Sequence, residues 1–201
     1  MHRKNASTDV KMYKIYYFKD EELINEEFIN RILHLLPAER RNKALNYRQV
    51  IDKKNCVIAY IMLKTALRNC YGITEFTIKY GAYGKPYLAE YPGIFFNISH
   101  CSYGCVVALA NERIGIDIQN IVPFSWKVAN RVCCKDELKL LENSKDRARE
   151  FIRLWTMKES YLKMTGKGIY EDLKSVNTLE IDCIGVKEIK NVIISVCMKQ
   201  I

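Results

Sequence analysis

The 201-residue sequence predicts an α+β fold made of two similar halves. In each half a stretch with helical periodicity is followed by short apolar segments of strand length. A turn signal at Asn111-Glu112 separates the two patterns, and no segment is of low complexity. We therefore expect an N-terminal half of residues 1–110 and a C-terminal half of residues 111–201.

The N-terminal half is expected to begin with a strand, "MYKIYYF", after a charged extension of residues 1–11. The acidic segment that follows predicts a helix up to Pro37, since Asp and Glu stabilise a first helical turn. A longer helical pattern runs from Glu39 to Cys70, is basic in its first part, and ends at Gly72. Strands are predicted at "EFTIKY", "GIFFNIS" and "CVVALA", with "GAYGKPYL" as a Gly/Pro loop.

The C-terminal half is expected to begin with the strand "RIGIDIQN", in which apolar and polar residues alternate. Residues 125–165 are predicted to be mostly helical, and "VNTLEI" and "NVIISVCMK" are predicted strands.

Composition narrows the class of protein. The formal net charge is +9, which favours an anionic partner such as nucleic acid, an anionic membrane surface, a phosphorylated small molecule or an acidic protein. No apolar run approaches the roughly 18 residues that a membrane helix needs, and no secretory signal is evident. The eight cysteines lack zinc-site spacing, so we expect free thiols in the core of a cytoplasmic protein.

The segment "LWTMKESYLKMTGKG", residues 154–168, predicts a helix that places charge on an apolar surface. On a helical wheel Lys158 falls among apolar residues and Glu159 lies at their rim. A half-buried carboxylate is costly unless it is paired or bound to a cation. One interpretation is a structural ion pair between Glu159 and Lys163 in the favourable i, i+4 order. The other is a ligand site.

The strand segment "GIDIQ" offers a partner for Glu159. Asp117 and Gln119 share one face, while Ile114, Ile116 and Ile118 face the expected core. Gly115 permits close approach of another group to the polar face. A carboxylate and an amide oxygen here, with a helix carboxylate opposite, suit a hard cation such as Mg²⁺. The competing interpretation is a solvated strand face.

Three further segments carry polar groups. Ser99 and His100 end an apolar strand, where they suit either a ligand contact or a capped turn. Lys85 and Pro86 lie on a Gly/Pro turn that fits a phosphate contact, although it is not a Walker loop. The basic helix start contains Arg40 and Lys43, which form either a phosphate site or a solvated face.

In this order, "GKPYL", "FNISH", "GIDIQ" and "LWTMKESYLKMTGKG" resemble the phosphopantetheinyl transferases of the Sfp type, and residues 39–55 extend the resemblance. That family moves the 4′-phosphopantetheine arm of coenzyme A onto a serine of an acyl or peptidyl carrier protein and releases adenosine 3′,5′-bisphosphate. The resemblance implies a pseudo-dimer of two similar α/β halves, with the active site in the cleft between them. A monomer suffices for such a site.

The resemblance also implies a role for most candidate residues. It makes Asp117, Gln119 and Glu159 ligands of Mg²⁺, with Glu159 as the base that acts on the carrier serine. It makes Lys163 a contact to the reacting phosphates. The implied contacts to coenzyme A are Arg40 and Lys43 at the 3′-phosphate, Lys85 and Pro86 at the adenosine end, and Ser99 and His100 at the phosphates. The resemblance leaves Lys158 unexplained: we expect it either to reach the coenzyme A phosphates or to pack its stem.

Two departures from the family pattern affect these expectations. Many bacterial relatives have an acid where this chain has Gln119, which predicts weaker metal binding. Asn55 stands where relatives often have Arg. The resemblance implies an acidic carrier of peptide, polyketide or fatty-acid synthesis as the partner, and no nucleic acid or membrane. A basic nucleic-acid-binding module is the alternative; it accounts for the pI of 9.1 but not for Glu159 or "GIDIQ".

Overall fold

The computed structural model describes residues 13–19, 25–167, 172–181 and 184–199. The predicted N-terminal extension, residues 1–11, and the last residue of the segment 154–168 lie outside the described residues, as does Cys183.

The described elements include most of the predicted ones, together with two strands that were not predicted, Pro86–Leu88 within the Gly/Pro loop and Ile184–Ile189. The N-terminal half contains β1 (Tyr13–Lys19), α1 (Glu26–Ile32), a 3-10 turn (Leu33–Leu35), α2 (Ala38–Leu45), α3 (Val50–Tyr71), β2 (Ile78–Tyr80), β3 (Pro86–Leu88), β4 (Phe95–Cys101) and β5 (Gly104–Ala110). The C-terminal half contains β6 (Ile114–Asn120), α4 (Trp126–Val132), α5 (Lys135–Asn143), α6 (Arg147–Thr165), two 3-10 turns (Leu173–Ser175 and Thr178–Glu180), β7 (Ile184–Ile189) and β8 (Val192–Met198).

Each half contains a three-stranded sheet of the same topology, and β2 and β3 form a separate two-stranded antiparallel sheet. The strand order is β1-β5-β4 in one sheet and β6-β8-β7 in the other, and all neighbours are antiparallel. In each of these sheets the central strand is the last in sequence. It pairs with the first strand on one side and with its hairpin partner on the other. The prediction of an α+β fold with two similar halves is therefore confirmed.

The two sheets pack between two helical layers. α3 covers one face of β5 through Leu63, Leu67, Val107 and Leu109, whereas α6 lies against β6 and β8. The facing sides of the sheets share one cluster of buried residues, which includes Val106, Ala108, Ile114, Ile116, Ile118, Val192 and Ile194. The alternation along β6 thus buries its isoleucines between the sheets and turns Asp117 towards α6.

Some boundaries differ from the sequence predictions. The helical pattern of residues 39–70 is broken at residues 46–49, and Gly72 ends α3 in the left-handed region with φ 70°. The predicted strand "VNTLEI" is wrong: it contains a 3-10 turn, because Glu137 binds the backbone N–H of Thr178 at 3.0 Å and the Asn177 side chain accepts from Leu179.

The cysteines are mostly free thiols, as predicted. Cys197 is disulfide-bonded, so the free thiol expected there is wrong. Among the described residues, no helix combines the length and the apolar character needed to cross a bilayer.

Candidate active site

The site lies where the C-terminal part of α6 crosses β6, beside the end of β4. α6 begins at the Asp146 cap, whose side chain accepts from the Arg149 N–H, and ends at Gly166 with φ 79°. A buried hydrogen bond of 2.7 Å between Thr156 and Ser195 fastens α6 to β8. The helix therefore has a fixed position over the sheet.

Gly115 makes the close crossing of α6 and β6 geometrically feasible. A Cβ at this position would lie 1.9 Å from the Ser160 carbonyl oxygen and 2.3 Å from the Met164 nitrogen. The predicted close approach at Gly115 is confirmed, and the approaching group is the helix backbone itself. This contact brings the side chain of Lys163 next to Asp117.

Asp117 is the centre of a buried polar cluster. Its carboxylate is 1% exposed, and Oδ1 accepts from Ser99 Oγ at 2.7 Å and from Lys163 Nζ at 2.5 Å. Lys163 also donates to Ser99 Oγ at 3.0 Å. Gln119 Nε2 donates to Asp117 Oδ2 at 3.3 Å. The ion pair that the sequence allowed between Glu159 and Lys163 is replaced by one between Lys163 and Asp117.

Glu159 is half-buried and accepts no hydrogen bond or ion pair from any residue that the structure describes. Burial raises the pKa of this carboxyl, Lys163 opposes the rise, and the negative charge of Asp117 adds to it. An unpaired carboxylate beside a second carboxylate is electrostatically unfavourable unless a cation joins them. Binding of a cation between Glu159 and Asp117 would therefore be electrostatically favourable.

The donor set is compatible with Mg²⁺. In the described part of the chain there is no group of three or more His, Cys, Asp or Glu side chains able to hold a metal. Asp117 and Glu159 supply two carboxylates, and Gln119 adds an amide. Mg²⁺ is commonly held by one or two carboxylates together with water and substrate phosphates, so this smaller set suffices.

His100 follows Ser99 at the end of β4 and is exposed on one side. Its Nδ1 lies 3.2 Å from Asn55 Nδ2. Partial burial of the ring, followed by the positive charge of Lys163, lowers the pKa of His100, while Asp52 and Asp117 oppose this. These effects together favour the neutral imidazole, which can act as a hydrogen-bonding group.

Arg40 and Lys43 lie together on α2 beside β2. Both donate to the Tyr80 hydroxyl at 3.4 Å, and Lys43 Nζ lies 5.3 Å from the centre of the Tyr80 ring. They line a pocket of about 180 Å³. Arg40 Nε is buried without a hydrogen-bond partner among the described residues. Glu39 also lines this pocket, so its two cations outnumber one carboxylate and favour an anion.

Lys85 and Pro86 lie at the turn between β2 and β3, where Gly84 has φ 77°. Lys85 Nζ donates to the carbonyl oxygens of Ile114 at 3.2 Å and Met164 at 2.9 Å. Burial, with a smaller contribution from Arg113, lowers the pKa of Lys85 to about 8. The Lys85 ammonium thus links the two halves through these two bonds. A ligand at this turn would therefore contact the loop backbone and not the Lys85 charge. The loop lines a cavity of about 330 Å³ that neither Asp117 nor Glu159 borders.

Lys158 requires a correction. Its side chain is 0% exposed and pairs with the equally buried Glu137 at 2.8 Å. The ammonium also donates to the carbonyl oxygens of Leu173, at 2.8 Å, and Val176. Every donor is engaged inside the protein, so the predicted contact between Lys158 and coenzyme A phosphates is wrong. The lysine instead fastens α6 to α5 and to the segment of residues 173–178.

Sequence reasoning missed Asn97, the buried residue two positions before Ser99. Its Oδ1 accepts the backbone N–H of Ile116 at 2.8 Å. Asn97 and Ser99 share a face of β4, and a buried amide on an otherwise apolar strand was the signal available in "FNISH".

The chain is similar in sequence to known proteins over most of its length. The chain matches the model of the 4′-phosphopantetheinyl transferase superfamily over residues 113–191 and that of the 4′-phosphopantetheinyl transferase N-terminal region over residues 24–113. It is 32% identical over 166 residues to the 4′-phosphopantetheinyl transferase ffp of Bacillus subtilis, which covers 81% of this chain and 74% of the relative.

Two further relatives give similar figures. The 4′-phosphopantetheinyl transferase Sfp of Bacillus subtilis strain 168 is 32% identical over 166 residues, 81% of this chain and 74% of the relative. The 4′-phosphopantetheinyl transferase gsp of Aneurinibacillus migulanus is 28% identical over 168 residues, 82% of this chain and 70% of the relative.

Proposed function

The chain belongs to the 4′-phosphopantetheinyl transferase family, and from that premise we propose that it transfers the 4′-phosphopantetheine arm of coenzyme A to a serine of an apo carrier protein, in a Mg²⁺-dependent reaction that releases adenosine 3′,5′-bisphosphate. Carrier-protein modification follows from the family. The coenzyme, the metal and the residue roles are our proposal.

The observation that carries the proposal is the cluster of Asp117, Ser99 and Lys163 beside the unpaired carboxylate of Glu159. Lys163 Nζ lies within 3.0 Å of both Ser99 Oγ and Asp117 Oδ1. Transfer of a phosphate-linked group needs positioning and charge neutralisation more than a protein nucleophile. A lysine, a hydroxyl and two carboxylates meet that need.

Asp117, Gln119 and Glu159 would hold Mg²⁺. When bound, the metal supplies positive charge that offsets the charge on the pyrophosphate oxygens. Gln119 presents its amide nitrogen to Asp117, so ligation by Gln119 needs a turn of this amide. Removing one negative charge from the family's three-acid pattern predicts weaker metal affinity.

The remaining side chains would bind coenzyme A. His100 would offer a ring N–H to its phosphates, and Ser99 would donate to a phosphate in exchange for its bond to Asp117, since a hydroxyl has a single proton. Lys163 would offset the charge that develops on the leaving phosphate. Arg40 and Lys43 would bind the 3′-phosphate, because both cationic side chains line the same pocket. Lys85 and Pro86 would place their loop at the adenosine end.

Glu159 would accept the proton of the carrier serine. Burial raises the pKa of its carboxyl in the metal-free protein, whereas a bound cation would oppose that rise. The net charge of +9 favours an acidic carrier, whether of peptide, polyketide or fatty-acid synthesis. Transfer should therefore slow as ionic strength rises, because salt screens this attraction.

One assay tests the proposal. The protein is incubated with coenzyme A, Mg²⁺ and each of several apo carriers, and the carriers are weighed by mass spectrometry. We expect the mass of one phosphopantetheine arm on a carrier, and its loss with Asp117→Ala or Glu159→Ala. Asp136→Ala, an exposed acid on α5, is the matched control and should retain the wild-type rate. Absence of product with every carrier, together with no coenzyme A binding, rejects the proposal.

A second experiment addresses Gln119. Restoring the acid with Gln119→Glu should lower the Mg²⁺ concentration needed for half-maximal transfer, because a carboxylate binds a hard cation more strongly than an amide. An unchanged half-saturation would exclude Gln119 from the ligand set.

A further inference from the structure

Among the described residues, the strand β6 pairs with another strand on one side only, although it is buried on both sides. On one side it pairs with β8 along its whole length, from Ile114 opposite Met198 to Asn120 opposite Val192. On the other side no described strand pairs with its backbone. The N–H groups of Ile116 and Ile118 nonetheless point away from β8 in a region where both residues are 0% exposed. Buried N–H groups without partners would destabilise the protein substantially.

Side chains of β4 satisfy these two groups. Asn97 Oδ1 accepts from the Ile116 N–H at 2.8 Å, and Ser99 Oγ accepts from the Ile118 N–H at 3.4 Å. Asn97 and Ser99 are each 5% exposed and are two positions apart, so they project from the same face of β4. The two halves of the protein are thus joined by a short ladder of side-chain to backbone hydrogen bonds.

The two bonds of this ladder are not equivalent. Ser99 Oγ also contacts Asp117 Oδ1 and Lys163 Nζ, and its bond to Ile118 is the longer one. A phosphate that accepts the single proton of Ser99 would compete with Asp117 for this hydroxyl and would reorient it. Asn97 is equally buried, accepts at the shorter distance and is anchored opposite Ala108 in the β4–β5 hairpin. It therefore holds β6 independently of what happens at Ser99.

The residue held by Asn97 is the immediate neighbour of Asp117. Fixing the Ile116 N–H fixes the distance and the lengthwise position of β6 relative to β4. Asp117 accepts its 2.7 Å bond from Ser99 across the same gap. Withdrawal of β6 from β4 by about 1 Å would separate Asp117 from Ser99 while leaving Asp117 attached to its own half. Displacements of this size cost roughly 100-fold in rate.

We propose that Asn97 is a positioning residue for the transfer reaction, which sets Asp117 against Ser99 by holding the Ile116 N–H across the junction of the two halves. This inference rests on the proposed function for its kinetic consequence. Its structural consequence, protection of one backbone amide, does not depend on that function.

The test compares Asn97→Ala, which removes the acceptor, with Asn97→Asp, which keeps a carboxyl oxygen in the same place. Hydrogen exchange of the ligand-free protein, resolved to single amides by NMR, is the first measurement. We expect the Ile116 amide to exchange at least tenfold faster in Asn97→Ala and to recover most of its protection in Asn97→Asp. Amides in the centre of β5 should change far less. Asn143→Ala, which alters an exposed asparagine on α5, is the matched control.

The second measurement is steady-state transfer. With Asn97→Ala we expect kcat to fall by about 10-fold to 100-fold while KM for coenzyme A changes less than about threefold, because Arg40 and Lys43 lie on α2, away from β6. Asn97→Asp should restore most of kcat. If the alanine variant does not fold, protection of Ile116 in wild type and in Asn97→Asp still decides the structural part.

Two results would overturn the proposal. The first is an Ile116 amide whose exchange does not respond to loss of the Asn97 acceptor. The second is a kcat loss that Asn97→Asp does not reverse although it restores protection at Ile116. If wild type transfers nothing but the exchange pattern follows the prediction, the proposed function fails and the role of Asn97 in holding β6 remains.

Discussion

Gly115→Ala tests the contact on which the whole site depends. Gly115 lies two residues before Asp117, where the backbone of α6 rests on β6. An added Cβ would lie 1.9 Å from the Ser160 carbonyl oxygen and 2.3 Å from the Met164 nitrogen. Both are backbone atoms of a helix, so no side-chain rotation can relieve the contact. Either α6 or β6 must move.

The size of the movement follows from these distances. Ordinary contact begins at 3.4 Å, so the Cβ of alanine falls 1.5 Å short of it at the Ser160 oxygen. Overpacking by a side chain typically costs 1–3 kcal/mol, and a backbone obstacle places this site at the upper end, about 3 kcal/mol. A displacement of α6 by about 1.5 Å would also lengthen the 2.5 Å bond between Lys163 and Asp117 beyond hydrogen-bonding distance. We expect transfer to fall by at least about 100-fold.

Thermal unfolding and the transfer assay measure both effects. For a chain of this length about 3 kcal/mol corresponds to a Tm lower by roughly 6–12 °C. Gly93→Ala is the matched control, since its Cβ would meet nothing within 4 Å and its φ is not in the left-handed region. That variant should remain within about 0.5 kcal/mol of wild type. A Gly115→Ala protein that melts within 2 °C of wild type and keeps its transfer rate would refute the reasoning.

Two further predictions concern buried charges. Lys158→Met leaves the fully buried Glu137 without its cation and should destabilise the protein by about 3–5 kcal/mol in thermal unfolding. The control Lys139→Met, which removes an exposed ion pair, should cost less than about 0.5 kcal/mol. Equal losses in the two variants would contradict the buried ion pair. Glu159→Gln should raise Tm by roughly 2–4 °C in EDTA at pH 8, because an unpaired buried carboxylate costs about 1 kcal/mol. Burial raises the pKa of Glu159, so the carboxyl binds a proton in the native state at a higher pH than in the unfolded state, and the gain in Tm should shrink in acid. The exposed control Glu142→Gln should show no such gain. A Glu159→Gln protein that is less stable than wild type at pH 8 would contradict the unpaired state of Glu159.

Local sequence patterns were enough to predict most of the fold. The alternation in "RIGIDIQN" determined that three isoleucines face the core and that Asp117 and Gln119 share the other face, because side-chain direction along a strand depends only on position. Gly115 and Gly72 could be interpreted for the same reason, since a missing Cβ has local consequences. Resemblance to a family then gave roles to residues whose individual patterns left alternatives open.

The tertiary structure determined what the polar residues contact. Glu159 and Lys163 are correctly spaced for an ion pair, yet Lys163 bonds to Asp117, 46 positions away, because the crossing at Gly115 brings α6 against β6. Lys158 and Glu159 are adjacent in sequence, but Lys158 is fully buried in an ion pair with Glu137, whereas Glu159 has no partner among the described residues. A helical wheel gives the direction of a side chain but not the element that it meets. That element depends on how two halves of the chain dock, which is a long-range property.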